Sequence, residues 1–206
     1  MEHIDTKPSV PKKMCFFHPA QLVSTGLGVG KIPFAPGTFG SLLGYPFFLF
    51  LLFIASLILH FSGVGSAQTK AQNLMLLLAT MSVILLICAV IFTFAIHKYL
   101  KHTDKTDPGE VVIDEIVGQA IALIMAVPLA VHLSEFSDQL KIKLFLIVLP
   151  FILFRIFDIF KPWPIDWCDT KIKGALGVML DDVVAGIMAG FVHYIIFLML
   201  MKWHLL

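Results

Sequence analysis

The sequence predicts an all-α fold: an integral membrane helical bundle of about five transmembrane or membrane-embedded helices, with a site at one membrane face. Three observations carry that expectation. Of 206 residues, 58% are hydrophobic and only 14% charged, with a mean hydropathy of +0.91; soluble domains run at roughly 45–50% apolar and about 25% charged. Apolar runs long enough to cross about 30 Å of hydrocarbon recur along the chain, separated by short polar segments. The charged residues cluster at the ends of those runs rather than spreading evenly.

Taken in order, residues 1–25 read as a polar N-terminal arm and 26–206 as a single membrane-embedded domain. The polar, Pro- and Gly-broken character persists to Phe34, and no signal peptide is evident because the first apolar run starts late and lacks a cleavage pattern. The segment 26–31, GLGVGK, is not a P-loop: Thr25 stands where glycine is required, and Ile32 follows Lys31. The stretch Pro36-Gly37-Thr38-Phe39-Gly40-Ser41 opens the run 42–61, with Thr38 or Ser41 as its expected N-cap. Alternatively, the free N–H groups of this helix start receive an anion. A loop over 62–72 leads to the run 73–96. Asp114 and Glu115 stand at the mouth of the run 116–133, and Glu110, Asp114 and Gly118 would share a face if that helix began early enough. The run 142–157, broken by Pro150, spans only roughly 24 Å by helical rise. The last run is 183–201.

Five crossings put eleven of the fifteen Lys and Arg residues on the side that holds the arm, the 97–115 loop and the 155–182 loop; Lys70, Lys141, Lys143 and Lys202 fall opposite. The positive-inside bias makes the first side cytoplasmic. Twelve of fourteen Asp and Glu residues share it, leaving Glu135 and Asp138 across the membrane.

The charge is densest from Phe154 to Gly186. Arg155, the sole arginine, is followed by Asp158 and Lys161 at three-residue steps, and the stretch ends in Asp181 and Asp182. With Asp114 and Glu115, five carboxylates then gather at one membrane face, where they repel one another unless a cation compensates. An oxygen-rich set without soft ligands suits Mg²⁺, completed by a phosphate. Arg155 offers a bidentate fork to such a phosphate and Lys161 a point charge. Singly, each residue reads equally as a helix cap or a surface ion pair. Gly118 and Gly186 each follow an acid pair by one turn, and small residues let helix backbones approach closely in a bilayer, which would draw the pairs together.

Several chemistries are excluded. The position six after each cysteine is Gln21, Phe94 or Gly174, so no Cys-x5-Arg loop exists; a single arginine is too few for a phosphohistidine lipid phosphatase, and no DxD pair occurs. Cys15, Cys88 and Cys168 show no metal spacing. A net charge of +1 without a basic run excludes nucleic acid as a partner. His18, His97 and His102 read as interfacial, and Trp163, Trp167 and Trp203 as interface anchors. A small transporter or ion-relay subunit is the alternative, though transporter acids favour the bilayer midplane.

Four stretches together resemble the phosphatidylglycerophosphatase A family: PGTFGSL at 36–42, VIDEIVG at 112–118, FRIFDIFKPWPI at 154–165 and GALGVMLDDVVAG at 174–186. The resemblance runs from about Gly26 to Gly190 and is most specific at FRxxDxxKPxPI. It implies a phosphatase domain in the bacterial inner membrane that is Mg²⁺-dependent and acts at the cytoplasmic face. Its substrate would be a phospholipid in the bilayer, phosphatidylglycerophosphate, cleaved to phosphatidylglycerol and inorganic phosphate. On that reading Asp114, Glu115, Asp181 and Asp182 hold the metal. Arg155, Lys161, Thr38 and Ser41 bind the phosphate, and Asp158 is the base or orients Arg155.

Overall fold

The computed structural model describes residues 18–63, 69–103, 108–133 and 140–203. Cys15, Glu135 and Asp138, named above, and Lys7, Lys12, Lys13 and Lys105, which the count of the arm and the 97–115 loop includes, lie outside the described residues. Those described form seven α-helices and no strand. They are α1 (Pro19–Ser24), α2 (Pro36–Ser62), α3 (Lys70–Leu100), α4 (Ile113–His132), α5 (Leu140–Phe160), α6 (Ile165–Lys171) and α7 (Ala175–Lys202). A 3-10 turn at Val29–Lys31 precedes α2.

Four helices, α2, α3, α4 and α7, are long and apolar enough to cross a membrane. The fifth, α5, has 21 residues, enough for the same thickness, but carries Lys141, Lys143, Arg155 and Asp158. It is longer than the 142–157 run because its helix continues through charged turns at both ends and through Pro150. In a helical bundle the backbone groups freed by such a proline find partners on neighbouring helices. Tyr45 of α2 reaches the adjoining position, donating its hydroxyl to the Ile147 carbonyl, next to the Leu146 carbonyl that Pro150 leaves without its helical partner.

The ends of the helices are set by local chemistry. Pro36 begins α2 at the first helical position, where its missing N–H costs nothing. Thr38 and Ser41 therefore lie inside the first two turns and do not cap the helix; Ala35, in the left-handed region, precedes it without a side-chain cap. Gly63, at φ 67°, ends the helix in the conformation that glycine adopts without strain. A reciprocal capping box between Thr69 and Gln72 starts α3. Ile113 opens α4, so Glu110 is not on its face; the Glu110 carboxylate instead receives the Tyr99 hydroxyl from the end of α3.

The long helices alternate in direction. Val111, Ile113, Ile96, Tyr99 and Ala175 share one buried cluster, placing the end of α3 beside the starts of α4 and α7. At the other end Leu129 and Leu133 of α4 meet Ile142 and Phe145 of α5 and Phe197 of α7. The central helix is α4: 67% of its apolar window is buried, against 11% to 33% for the other three candidate spans, which leave most of their apolar surface to lipid. α1 buries Ala20, Gln21 and Ser24, and Ser24 accepts the Val112 N–H through its carbonyl at 2.9 Å, tying the chain before α2 to the start of α4.

Candidate active site

The site is built on a backbone contact between α4 and α7. A Cβ on Gly186 would overlap the Gly118 carbonyl, and one on Gly118 would lie 2.5 Å from Phe154 Cε2 and 2.6 Å from the Asp182 carbonyl oxygen. Only glycine at both positions lets the helices close this far. One turn toward the helix starts, Asp114 and Glu115 of α4 face Asp182 of α7, each offering a carboxylate oxygen within 4.8 Å of the others. Asp114 is 6% exposed and Asp182 4%. Asp114 Oδ1, Glu115 Oε2 and Asp182 Oδ1 are buried without a hydrogen-bond partner. Three such oxygens from two helices are strongly unfavourable unless a positive charge joins them. Oxygen-only donors with unsatisfied lone pairs fit a hard cation, and the trio could bind a metal ion.

Asp181 and Asp182, expected in a loop at the mouth of the last apolar run, are in the second turn of α7. The helix reaches back to Ala175 because 175–180 are small and apolar residues that pack against α3, α4 and the 111–113 segment; Ala175 and Met179 are buried there.

Arg155, in the last two turns of α5, approaches the trio from the side. Its Nη1 donates to Asp158 Oδ2 at 2.6 Å and to Ser41 Oγ at 3.2 Å, while Nε is buried without a partner. Ser41 in turn donates to the Gly37 carbonyl at 2.8 Å. A Cβ on Gly37 would lie 2.5 Å from Glu115 Oε1 and 3.2 Å from Arg155 Nη1, and one on Gly40 would lie 2.8 Å from Val112 Cβ. The glycines of GTFGS thus bring the start of α2 against both the acid trio and the arginine. Thr38 is in the first turn, its N–H donating to the Ala35 carbonyl at 3.0 Å, and its hydroxyl makes no hydrogen bond to Arg155 or the acids among the described residues.

Lys161 follows α5 directly. Its Nζ donates to Asp181 Oδ2 at 2.6 Å and pairs with Asp169 Oδ1 of α6 at 3.1 Å. Burial works against its charge, but the hydrogen bonds and attraction of Asp181 and Asp169 outweigh that and hold the ammonium above the ordinary lysine range. The four acids expected as one ligand set therefore divide: Asp114, Glu115 and Asp182 converge, whereas Asp181 is paired with Lys161. Asp169 was not singled out by the sequence, where it sits between a cysteine and a threonine with no charged neighbour to mark it. The histidines near this end act locally: His18 Nδ1 accepts the Ala20 N–H, and His102 Nδ1 lies 3.0 Å from the Lys98 carbonyl oxygen.

A helical bundle with four candidate membrane spans, and with buried carboxylates that could hold a metal ion beside an arginine and a lysine, puts the protein in the class of membrane proteins equipped to hold a cation and an anion together. The comparisons narrow it. A model of the family described as phosphatidylglycerophosphatase A matches residues 22–197, and the chain belongs to that family, a lipid phosphatase family. It is 32% identical to phosphatidylglycerophosphatase A of Escherichia coli K12 over 179 residues, covering 87% of this chain and 84% of the relative. It is also 32% identical to the Haemophilus influenzae protein of that name over 188 residues, covering 90% and 93%. A Bacteroides thetaiotaomicron protein with the provisional name phosphatidylinositol-3-phosphatase is 36% identical over 169 residues, covering 81% and 86%. No solved structure matches the chain significantly.

Proposed function

We propose that the protein hydrolyses the terminal phosphate of phosphatidylglycerophosphate, releasing phosphatidylglycerol and inorganic phosphate, with Mg²⁺ as cofactor. The observation that carries this reading is the orphaned oxygen trio of Asp114, Glu115 and Asp182 beside Arg155. Those three carboxylates hold the cation, with Asp181 supporting them from the adjacent position. When bound, Mg²⁺ supplies Lewis-acid stabilisation of charge on the phosphate oxygens. Arg155 and Lys161 bind the remaining oxygens, and the start of α2 around Thr38 and Ser41 flanks the phosphate, with Ser41 holding Arg155 Nη1. Asp158 orients Arg155 through Oδ2 and takes the proton of the attacking water on its other oxygen. Water forms the new P–O bond, the bond from phosphorus to the glycerol oxygen breaks, and the proton taken up by Asp158 passes to that oxygen, so the lipid leaves as the neutral alcohol with its acyl chains still in the bilayer. The unit responsible is the single membrane-embedded domain 26–206, onto which α1 of the 1–25 arm packs.

The provisional name of the Bacteroides relative favours a second substrate, a phosphatidylinositol phosphate. Phosphate release by the pure protein in detergent, on phosphatidylglycerophosphate, phosphatidic acid and phosphatidylinositol 3-phosphate in parallel, separates the readings. We expect the first to be cleaved at least tenfold faster, activity to vanish with EDTA, and Mg²⁺ to restore it better than Ca²⁺, whose larger and looser shell positions phosphate less tightly. Full activity in metal-free buffer would sink the mechanism.

The location that fits is the inner membrane of a bacterium, with the site on the cytoplasmic face, because the Lys and Arg residues concentrate at the site end of the bundle. A reporter fused after Leu206 should then read as periplasmic; a cytoplasmic reading removes α5 as a crossing.

A further inference from the structure

Lys161 is placed with unusual care for a flexible side chain. Its backbone has φ 43°, a left-handed conformation that a residue with a Cβ adopts at a cost of roughly 1–2 kcal/mol. That backbone closes α5 by donating its N–H to the Phe157 carbonyl at 2.8 Å, and Pro162 prevents the helix from continuing. The ammonium then meets two carboxylates from two other helices, Asp181 of α7 at 2.6 Å and Asp169 of α6 at 3.1 Å. An ammonium has three donors. Two are taken, and no third partner is found among the described residues.

A lysine held by one acid swivels about that contact. Held by two, it has its third N–H direction fixed. Asp181 is 9% exposed in its side chain and adjoins Asp182 in α7, so the Asp181 contact brings the ammonium to the same end of the bundle as the trio. Asp169, 41% exposed in its side chain, lies on the outer side and carries no other pairing among the described residues.

We propose that Asp169 is a positioning residue for phosphate recognition: with Asp181 it fixes two donors of Lys161 and aims the third at the substrate phosphate. α6 is the device that delivers it, a two-turn helix placed between Pro164 and Ile172 with Ile165 and Cys168 buried beneath it. This inference rests on the reading of Lys161 as a phosphate ligand, and the test separates the two.

The sign of the effect is diagnostic. Removing a negative charge near an anionic substrate would, by Coulomb attraction alone, tighten binding and lower KM. Loss of an aiming contact does the opposite. The full chain in detergent, with phosphatidylglycerophosphate as substrate and inorganic phosphate as competing ligand, is compared with Asp169→Asn, Asp169→Glu, Asp166→Asn and Lys161→Met. Asp166 is exposed on the same helix and pairs with nothing among the described residues, which makes it the control for charge removal. For Asp169→Asn we expect KM and the inhibition constant of phosphate to rise together by about tenfold, the size of one weakened charged hydrogen bond. The kcat should stay within twofold because ground and transition state lose the contact alike. Asp169→Glu should recover most of the loss, and Asp166→Asn should match wild type. An unchanged or lowered KM in Asp169→Asn overturns the proposal, as does a fall in kcat and melting temperature at constant KM. If Lys161→Met raises both constants while Asp169→Asn does not, only this inference fails. If Lys161→Met leaves both unchanged, the reading of Lys161 fails with it.

Discussion

The helices α4, α5 and α7 meet at both ends of the bundle, and the two meetings are made of different residues. At the far end Leu129, Leu133, Ile142, Phe145 and Phe197 fill the space, with ring centroids of Phe145 and Phe197 6.5 Å apart. At the site end glycines bring backbones together, and the space they leave is lined by carboxylates and an arginine. Both regions contain buried polar atoms without partners. His193, fully buried, has neither ring nitrogen bonded and packs 4.5 Å from the Phe145 ring. It is a single group set against the Phe145 ring and backbone, so its cost is borne by packing. The acid trio brings three orphaned groups from two helices to one point, and packing cannot offset that. Convergence, more than burial, separates a site from an unsatisfied core residue.

If the comparison holds, substitutions at the two ends should split activity from stability. The largest loss should come from Asp182→Asn, which keeps shape but removes a charge. Turnover should fall by a hundredfold or more, the scale of about 2.7–4 kcal/mol for one lost electrostatic stabiliser. Melting in the absence of metal should be unchanged or raised, since repulsion within the trio is relieved. Arg155→Lys keeps the charge but loses the planar guanidinium, in which Nη1 alone holds Ser41 and Asp158 and the other nitrogens are left for a phosphate. Turnover should drop by about tenfold, or 1.4 kcal/mol. If both variants keep more than half of wild-type turnover per folded molecule, neither residue belongs to the catalytic site. Phe197→Ala at the far end should show the smallest effect on chemistry, within twofold per folded molecule. It should nevertheless lower stability by about 3 kcal/mol through the cavity it leaves, read by unfolding in mixed micelles. A hundredfold turnover loss there would erase the distinction between the two ends.

Much of this division was legible in the sequence. Hydrocarbon-length runs gave the helices, and acids followed one turn later by glycine pointed to the α4–α7 approach that Gly118 and Gly186 make. What the sequence hid follows from burial. Hydropathy ends a membrane run where charge begins, so the last helix was expected from 183, although its first two turns, including Asp181 and Asp182, are inside the bundle. A carboxylate looks like a loop residue until its neighbours are known. The same limit concealed the split of Asp181 from the trio and the pairing of Asp169 with Lys161, since both depend on contacts between residues of three separate helices. The role of Gly37 was equally invisible: its neighbours are 78 and 118 positions away, at Glu115 and Arg155.

The Gly118–Gly186 contact also acts as a fulcrum. Asp182 lies about 6 Å along α7 from that point and Phe197 about 16 Å on the other side, by helical rise. A change of about 10° in the angle between α4 and α7, of the kind that bilayers of different thickness impose on helix tilt, moves Phe197 by about 3 Å and Asp182 by about 1 Å. The short lever arm carries the ligand oxygens and the long arm carries the compliant packing of leucine and phenylalanine. The same change of angle would therefore displace the leucine and phenylalanine packing about three times as far as the ligand oxygens.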